Sequence, residues 1–229
     1  MSELKVDVLV IGWGKAGKTI AGRLAGEGRK VALVERSPQM YGGACINIAC
    51  VPTKDLIVSA QRRRPQDDPQ EYFTQAVAGR DSLIGKLNAA NHRMLEGQAE
   101  LVDGTARFIS SRKVAVDTAD GELLLTAQTV VLGTGAVPAH PDIPGIDLPR
   151  VYDSTSIQHA DPLPQRLAII GGGFIGLEFA QMFQRFGSQV TVVDSGEHFL
   201  RRAEPVVAES VHQVLTEAGV VVRQSARVQ

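Results

Sequence analysis

The two cysteines of this 229-residue chain, Cys45 and Cys50, lie five positions apart, after Gly42-Gly43 and before Lys54. Five residues of an ideal helix rise about 7.5 Å, whereas a disulfide needs Cα atoms within about 7 Å of each other. The cysteines can therefore bridge only if Cys45 lies on a loop or a distorted first turn, which the glycines permit. A strained, accessible disulfide of this kind is easily reduced. An attacking cysteine must be a thiolate, and a helix N-terminus or Lys54 would lower its pKa.

Charge and cysteine content exclude several classes of protein. The chain carries 24 Lys and Arg against 25 Asp and Glu, which gives no electrostatic reason to expect nucleic acid or an anionic membrane as a partner. The first apolar run is too short and too polar for a secretory signal or a membrane span, so we expect a cytoplasmic protein. In a reducing compartment a paired dithiol is catalytic, regulatory or metal-binding. We expect no metal, because no third and fourth ligands cluster with the cysteines.

Two glycine-rich turns, Gly12 to Gly17 and Gly171 to Gly176, each follow a short apolar strand and precede a helical pattern. In this setting backbone N–H groups and the helix N-terminus can hold a pyrophosphate. An acid ends the strand after each turn, Glu35 and Asp194, at the same spacing from the last glycine, where it can accept hydrogen bonds from ribose hydroxyls. The residues predicted to contact the two dinucleotides are Gly12, Gly14, Ala16 and Gly17 in the first turn, and Gly171, Gly173, Phe174, Ile175 and Gly176 in the second.

Asp194 also bears on the choice of nicotinamide coenzyme. A carboxylate at this position repels the 2′-phosphate of NADPH, so the sequence favours NADH. Arg201 and Arg202 follow closely and partly offset that preference.

The segment between the turns is predicted to form two helices and then strands. One helix, about Ile46 to Arg63, carries the cysteines, and a second runs from about Glu71 to Gln98. Asp103-Gly104 and Asp120-Gly121 are hairpin-type dipeptides between alternating apolar runs. An antiparallel β-meander is therefore expected over residues 100–126.

A buried strand over residues 130–132 is expected next, followed by a proline-rich linker over residues 138–149. These patterns predict an α/β protein with two Rossmann-like, three-layer nucleotide-binding domains, the first with the meander. We place the domains at residues 1–150 and 151–229. The second has about three parallel strands and few covering helices, so we expect a truncated piece of a longer chain.

The sequence Gly42 to Lys54, GGACINIACVPTK, resembles the active-site signature of the class I pyridine nucleotide-disulfide oxidoreductases. That family includes dihydrolipoyl dehydrogenase, glutathione reductase and mercuric reductase. Residues 171–178, GGGFIGLE, resemble its nicotinamide-binding turn, and Thr134-Gly135-Ala136 its second flavin-contacting segment. Within the family, the chain is most similar to the bacterial reactive-chlorine-resistance branch, in residues 14–19, 40–43, 45–48 and 151–155.

The resemblance implies a relay of electrons from NAD(P)H through FAD to the dithiol. Cys45 would be the outer thiol that attacks the acceptor, and Cys50 the inner thiol beside the flavin. Lys54 would lie near the flavin ring and pair with Glu178; the alternatives are a surface lysine and an acid in the first helical turn. The first dinucleotide would then be FAD, contacted by Gly12, Gly14, Ala16, Gly17, Glu35, Gly43, Lys54, Ala106, Thr134, Gly135 and Ala136, and the second NAD(P)H, with Asp194 on its ribose.

The sequence departs from the family pattern in three ways. Ala44 stands where threonine is usual and Ala49 where glycine is usual. The family's catalytic His-Glu pair and dimerisation domain would lie beyond residue 229, and none of the five histidines present sits in a comparable motif. We therefore expect a homodimer for the whole protein and little turnover from this chain alone.

Other functions remain open at this point. The electron acceptor is a disulfide, a reactive oxidant or a metal ion, and dihydrolipoyl dehydrogenase is the nearest alternative enzyme. A thiol redox sensor without turnover and a simple flavin-nicotinamide oxidase with incidental cysteines also fit the motifs.

Overall fold

Apolar runs beside both glycine turns form the parallel strands that the sequence predicts. The computed structural model describes residues 2–228, with strands numbered β1 to β9 and helices α1 to α6 in chain order. The strands are β1 Ser2–Ile11, β2 Val31–Glu35, β3 Glu100–Asp103, β4 Thr105–Ser110, β5 Lys113–Thr118, β6 Gly121–Leu132, β7 Arg166–Ile170, β8 Gln189–Val193 and β9 Val221–Arg223. The helices are α1 Lys15–Gly26, α2 Ala44–Asn47, α3 Cys50–Arg62, α4 Pro69–Arg93, α5 Phe174–Phe186 and α6 Pro205–Glu217.

The chain divides into two compact units. The first contains the residues up to Pro52 together with Asp81–Val137, and the second contains Thr53–Arg80 together with the residues from Pro138 onward. The boundaries fall within α3, within α4 and at the start of the proline-rich linker. The assignment of residues 1–150 and 151–229 to separate cofactors stays a prediction.

The first unit has one sheet in the order β3-β2-β1-β6-β5-β4. Strands β3, β2, β1 and β6 are parallel, and β6 pairs with β1 from Leu123 to Leu132. The other edge of β6, from Gly121 to Thr126, pairs antiparallel with β5, which pairs antiparallel with β4. Leu9 and Val34 share one core with Val114 and Val116 of the antiparallel strands. The opposite face of β1 and β2 packs on helix residues such as Ala21. Burial on both faces explains the nearly continuous apolar sequence of these strands.

Two strand predictions in this unit are wrong. Strand β3 does not belong to the antiparallel meander, because it pairs in parallel with β2. Gly104 turns the chain from β3 into β4, and a Cβ there would lie 2.5 Å from the carbonyl oxygen of Asp117. Residues 130–132 are not a separate buried strand; they end the long strand β6, and Leu132 is 64% exposed.

The second unit is a smaller parallel sheet in the order β7-β8-β9. Its core contains Phe73 of α4, Val192 of β8, and Phe183 and Phe186 of α5. The rings of Phe73 and Phe186 meet edge to face, with centroids 5.0 Å apart. No helix among residues 2–228 is long and apolar enough to cross a membrane.

Candidate active site

Two positions of the first glycine turn, Gly12 and Gly17, have no room for a side chain. Gly12 has φ +104°, and a Cβ on it would lie 2.3 Å from the carbonyl oxygen of Gly133. A Cβ on Gly17 would lie 2.2 Å from the carbonyl oxygen of Gly12. Gly14 is the N-cap of α1 and has no side chain to cover the helix end, whose first turn contains no acid. The open N–H groups of this helix N-terminus fit the pyrophosphate of a dinucleotide.

Glu35 lies at the end of β2 and is hydrogen-bonded to the first glycine turn. Its carboxylate accepts a hydrogen bond from the Trp13 backbone N–H at 2.9 Å and one from the Ser37 N–H at 3.3 Å. An ionised carboxylate offers about four acceptor positions, so two remain for ribose hydroxyls.

The second turn repeats this geometry. Gly171 has φ +102°, and a Cβ on Gly176 would lie 2.3 Å from the carbonyl oxygen of Gly171. Asp194 accepts hydrogen bonds from the N–H groups of Gly172 at 2.8 Å and Gly196 at 2.7 Å, as Glu35 does in the first unit. Gly173 is the N-cap of α5, and Phe174 and Ile175 in its first turn are 67% and 63% exposed. The turn and Asp194 line a cavity of about 350 Å³ together with Arg201 and Arg202.

The other predicted flavin contacts lie in three places. Gly43 has φ +76°, and a Cβ on it would lie 2.5 Å from the Cα of Gly14, so the cysteine segment packs directly on the first glycine turn. Thr134, Gly135 and Ala136 are exposed and follow Gly133, whose N–H donates to the carbonyl oxygen of Ile11 at 2.8 Å. Ala106 lies on β4, opposite Val116 of β5.

The helix predicted over residues 46–63 is broken between the cysteines. Cys45 lies in the short helix α2 and Cys50 opens α3, with Ile48 at φ −138° between them. Asn47 at the end of α2 ties this short helix to the turn before it, because its amide donates to the carbonyl oxygens of Tyr41 at 3.0 Å and Gly43 at 2.9 Å. The distorted first turn that a disulfide requires is therefore present.

Both cysteines are free thiols, and Cys45 is half-buried while Cys50 is exposed. The pKa of the Cys45 thiol is raised, first by its hydrogen bond with Cys50, then by burial and by the charge of Cys50. The positive charges of Lys15 and Lys18 oppose that rise. The predicted lowering of a thiol pKa is therefore wrong for Cys45.

Lys54 lies on α3, four residues after Cys50, and donates a hydrogen bond to the carboxylate of Glu178. This is the pair that the resemblance implied. Glu178 is the fifth residue of α5, so it is not a first-turn acid. The two side chains are 58% and 43% exposed, so solvent screening limits the pair to at most about 1 kcal/mol of stability.

An aromatic cluster in the first unit is not predicted by the sequence, because its members come from three distant segments. Trp13 is fully buried, and its ring lies 4.6 Å from that of Tyr41 and 5.7 Å from that of His92. The Tyr41 hydroxyl donates to the carboxylate of Asp103 at 2.7 Å. Burial and this hydrogen bond raise the pKa of Tyr41. The Trp13 Nε1–H has no hydrogen-bond partner within the described part of the chain.

The same described residues, 2–228, contain no group of three or more His, Cys, Asp or Glu side chains that could hold a metal ion.

Comparison with known proteins identifies the family. The family model described as pyridine nucleotide-disulphide oxidoreductase matches residues 6–229. The chain belongs to this family. Pyridine nucleotide-disulphide oxidoreductases use FAD and NAD(P)H, the two cofactors expected from the sequence. The α/β class and the Rossmann-type fold are likewise confirmed.

Two relatives within this family, and a solved structure of one of them, show how far the likeness extends. The probable pyridine nucleotide-disulfide oxidoreductase RclA of Escherichia coli is 39% identical over 228 residues, or 98% of this chain and 50% of that protein. A mercuric reductase of Lysinibacillus sphaericus is 32% identical and covers 96% of this chain and 41% of that enzyme. The Cu(II) complex of the HOCl-induced flavoprotein disulfide reductase RclA from Escherichia coli has a TM-score of 0.91 at 39% identity, covering 98% of this chain and 50% of that one. The chain thus spans about half the length of these relatives or less.

Proposed function

We propose that the whole protein passes electrons from NAD(P)H through FAD to the Cys45–Cys50 disulfide and on to an acceptor. The observation that carries the proposal is the broken helix between the two cysteines, packed on a glycine turn that fits a pyrophosphate. The first unit would hold FAD and the second NADH. The likeness to disulfide and metal-ion reductases supports this assignment.

The chemistry that bound FAD would supply is the passage of two electrons from the hydride of NAD(P)H to the disulfide. The S–S bond would then break, and the proton of the hydride together with one from solvent would give two thiols. With a disulfide as acceptor, the Cys45 thiolate attacks one acceptor sulfur and displaces the first thiol. Cys50 then attacks Cys45, displaces the second thiol and restores the Cys45–Cys50 bond. Cys45 is half-buried and Cys50 is exposed, so neither residue of the pair is enclosed in a core.

The relatives support two candidate classes of electron acceptor. Mercuric reductases are similar over nearly the whole chain, and one matching structure of RclA is a Cu(II) complex. Soft metal ions accept electrons from thiolates, so we propose two classes of acceptor, a disulfide and a metal ion. A dihydrolipoyl dehydrogenase of Bacillus subtilis is 29% identical to this chain. Lipoamide should therefore be assayed as an acceptor in parallel. A cytoplasmic homodimer is proposed for the whole protein, since dimers are typical of the family.

The first test is the visible spectrum of the whole protein during anaerobic titration with NADH, beside Cys50→Ser. A bound-flavin spectrum that gains a long-wavelength thiolate-to-flavin band, absent from Cys50→Ser, is the expected result. Flavin that bleaches identically in both proteins with no such band would contradict the dithiol relay and favour a simple oxidase. A disulfide that forms reversibly but is never reduced by NADH would favour a redox sensor.

Asp194→Ala should weaken NADH use and narrow the preference for NADH over NADPH. The change removes the carboxylate proposed to bind the ribose and to repel a 2′-phosphate, beside Arg201 and Arg202. A hydrogen bond to a charged group contributes roughly 1.5–3 kcal/mol, so KM for NADH should rise at least about tenfold. Steady-state kinetics with both coenzymes measure the effect. Glu209→Ala, an acid on α6 away from this cavity, is the control. An unchanged ratio of the two coenzymes would refute the role of Asp194.

A further inference from the structure

A lysine on α1 lies near the segment that carries the outer thiol. Gly43, the N-cap of the Cys45 helix, packs against Gly14, the N-cap of α1. Lys18 lies one turn into α1, and its backbone N–H donates to the carbonyl oxygen of Gly14 at 3.0 Å. The two helix starts therefore meet, and Lys18 and Cys45 come from the segments in contact.

Asn91 fixes the position of the Lys18 ammonium. Lys18 Nζ donates a hydrogen bond to Asn91 Oδ1, and the Asn91 amide donates to the carbonyl oxygen of Leu87 at 2.8 Å. Asn91 is only 5% exposed and lies against Gly42, just before the Cys45 helix. Because the amide is held at both ends, its oxygen faces Lys18 and keeps the ammonium at the cysteine segment.

The charge of Lys18 is not neutralised by an acid. Within residues 2–228, the lysines that pair with a carboxylate are Lys54, with Glu178, and Lys113, with Glu3; no carboxylate pairs with Lys18. Burial, and then the charge of Lys15, lowers the pKa of Lys18, while a Cys45 thiolate opposes that change. A half-buried cation without a counter-ion is stabilised by an anion placed next to it.

We propose that Lys18, held by Asn91, is a positioning residue whose ammonium stabilises the negative charge of the Cys45 thiolate. This inference rests on the proposed function, in which Cys45 is the attacking thiol. The other titratable groups acting on Cys45 are Lys15 from α1 and Cys50 from α3. The charge of Lys15 also acts to lower the pKa of Cys45, but the Lys15 side chain is exposed, so salt screens its charge more readily. The structure therefore assigns the fixed part of the positive field to Lys18.

The test is the pH dependence of alkylation at Cys45. The whole protein is studied in the Cys50→Ser background, which leaves one thiol of the pair, and is treated with iodoacetamide, an uncharged reagent for the thiolate. Peptide mass spectrometry gives the rate at Cys45. Lys18→Met should move the midpoint to higher pH and slow alkylation near neutral pH by about three- to tenfold, since one pKa unit is a tenfold change in thiolate population. Lys18→Arg should restore the rate to within about twofold, because it keeps the charge.

The matched control is Lys30→Met, which removes the same charge just before β2, at the end of the parallel strands opposite the glycine turn. Its profile should superimpose on that of the background protein. A Lys18→Met profile that also superimposes would overturn the proposal. A Lys18→Arg profile shifted as far as that of Lys18→Met would also overturn it, because it would indicate a structural role for the lysine. Loss of FAD from Lys18→Met with no change in alkylation at Cys45 would overturn it too, because it would indicate a cofactor-binding role.

Asn91→Leu provides a second variant if Lys18→Met does not fold. It removes the oxygen that holds the Lys18 ammonium but leaves the lysine charged. Alkylation of Cys45 near neutral pH should then slow relative to the background protein; an unchanged rate would overturn the proposal. Alkylation needs neither NADH nor turnover. A missing long-wavelength band would therefore contradict the electron relay, whereas an alkylation profile independent of Lys18 would contradict only this inference.

Discussion

Cys45→Ser should lower the rate of acceptor reduction by roughly a thousandfold or more, the scale seen when an enzyme loses its nucleophile. Cys45 is the half-buried outer thiol on its own short helix, and serine keeps its size but is not ionised near neutral pH. Cys50 remains in place at the start of α3, so the thiolate-to-flavin band should persist. The measurements are NADH oxidation with each acceptor and the visible spectrum of the same sample.

Cys50→Ser is the matched comparison for this prediction. Both variants should lose acceptor reduction, but only Cys50→Ser should also lose the long-wavelength band. The two thiols would then have separate roles, one toward the acceptor and one toward the flavin. Turnover by Cys45→Ser at the unmutated rate would show that acceptor reduction bypasses the dithiol.

Gly17→Ala should weaken FAD binding by about ten- to hundredfold, because overpacking costs roughly 1–3 kcal/mol and each 1.4 kcal/mol is tenfold in affinity. The added methyl would lie 2.2 Å from the carbonyl oxygen of Gly12 and 3.1 Å from Cγ1 of Val10. The neighbouring atom is backbone, so α1 must move away from the turn and carry its open N–H groups out of position. Titration of the apoprotein with FAD, followed by flavin fluorescence, measures the loss.

Gly26→Ala, at the end of the same helix, is the control. A Cβ at Gly26 meets nothing within 4 Å, so alanine should leave FAD binding unchanged and raise stability by roughly 0.5–1 kcal/mol. Thermal denaturation of both variants separates a local effect on the cofactor from general unfolding. FAD affinity that is equal in Gly17→Ala and Gly26→Ala would show that the first glycine turn does not hold the cofactor.

The local features of this protein could be predicted from its amino-acid sequence. Glycine spacing, the acids after the second strands and the paired cysteines are short-range patterns, and they predicted both turns and the distorted helix start. Tertiary structure decided what depends on contacts between distant segments. Whether Asp103-Gly104 closes a hairpin depends on the partner of β3, which is β2, some 70 residues earlier. The pKa of Cys45, the Lys18–Asn91 contact and the Trp13–Tyr41–His92 cluster likewise depend on burial and on charges brought together by folding, which spacing along the chain does not encode.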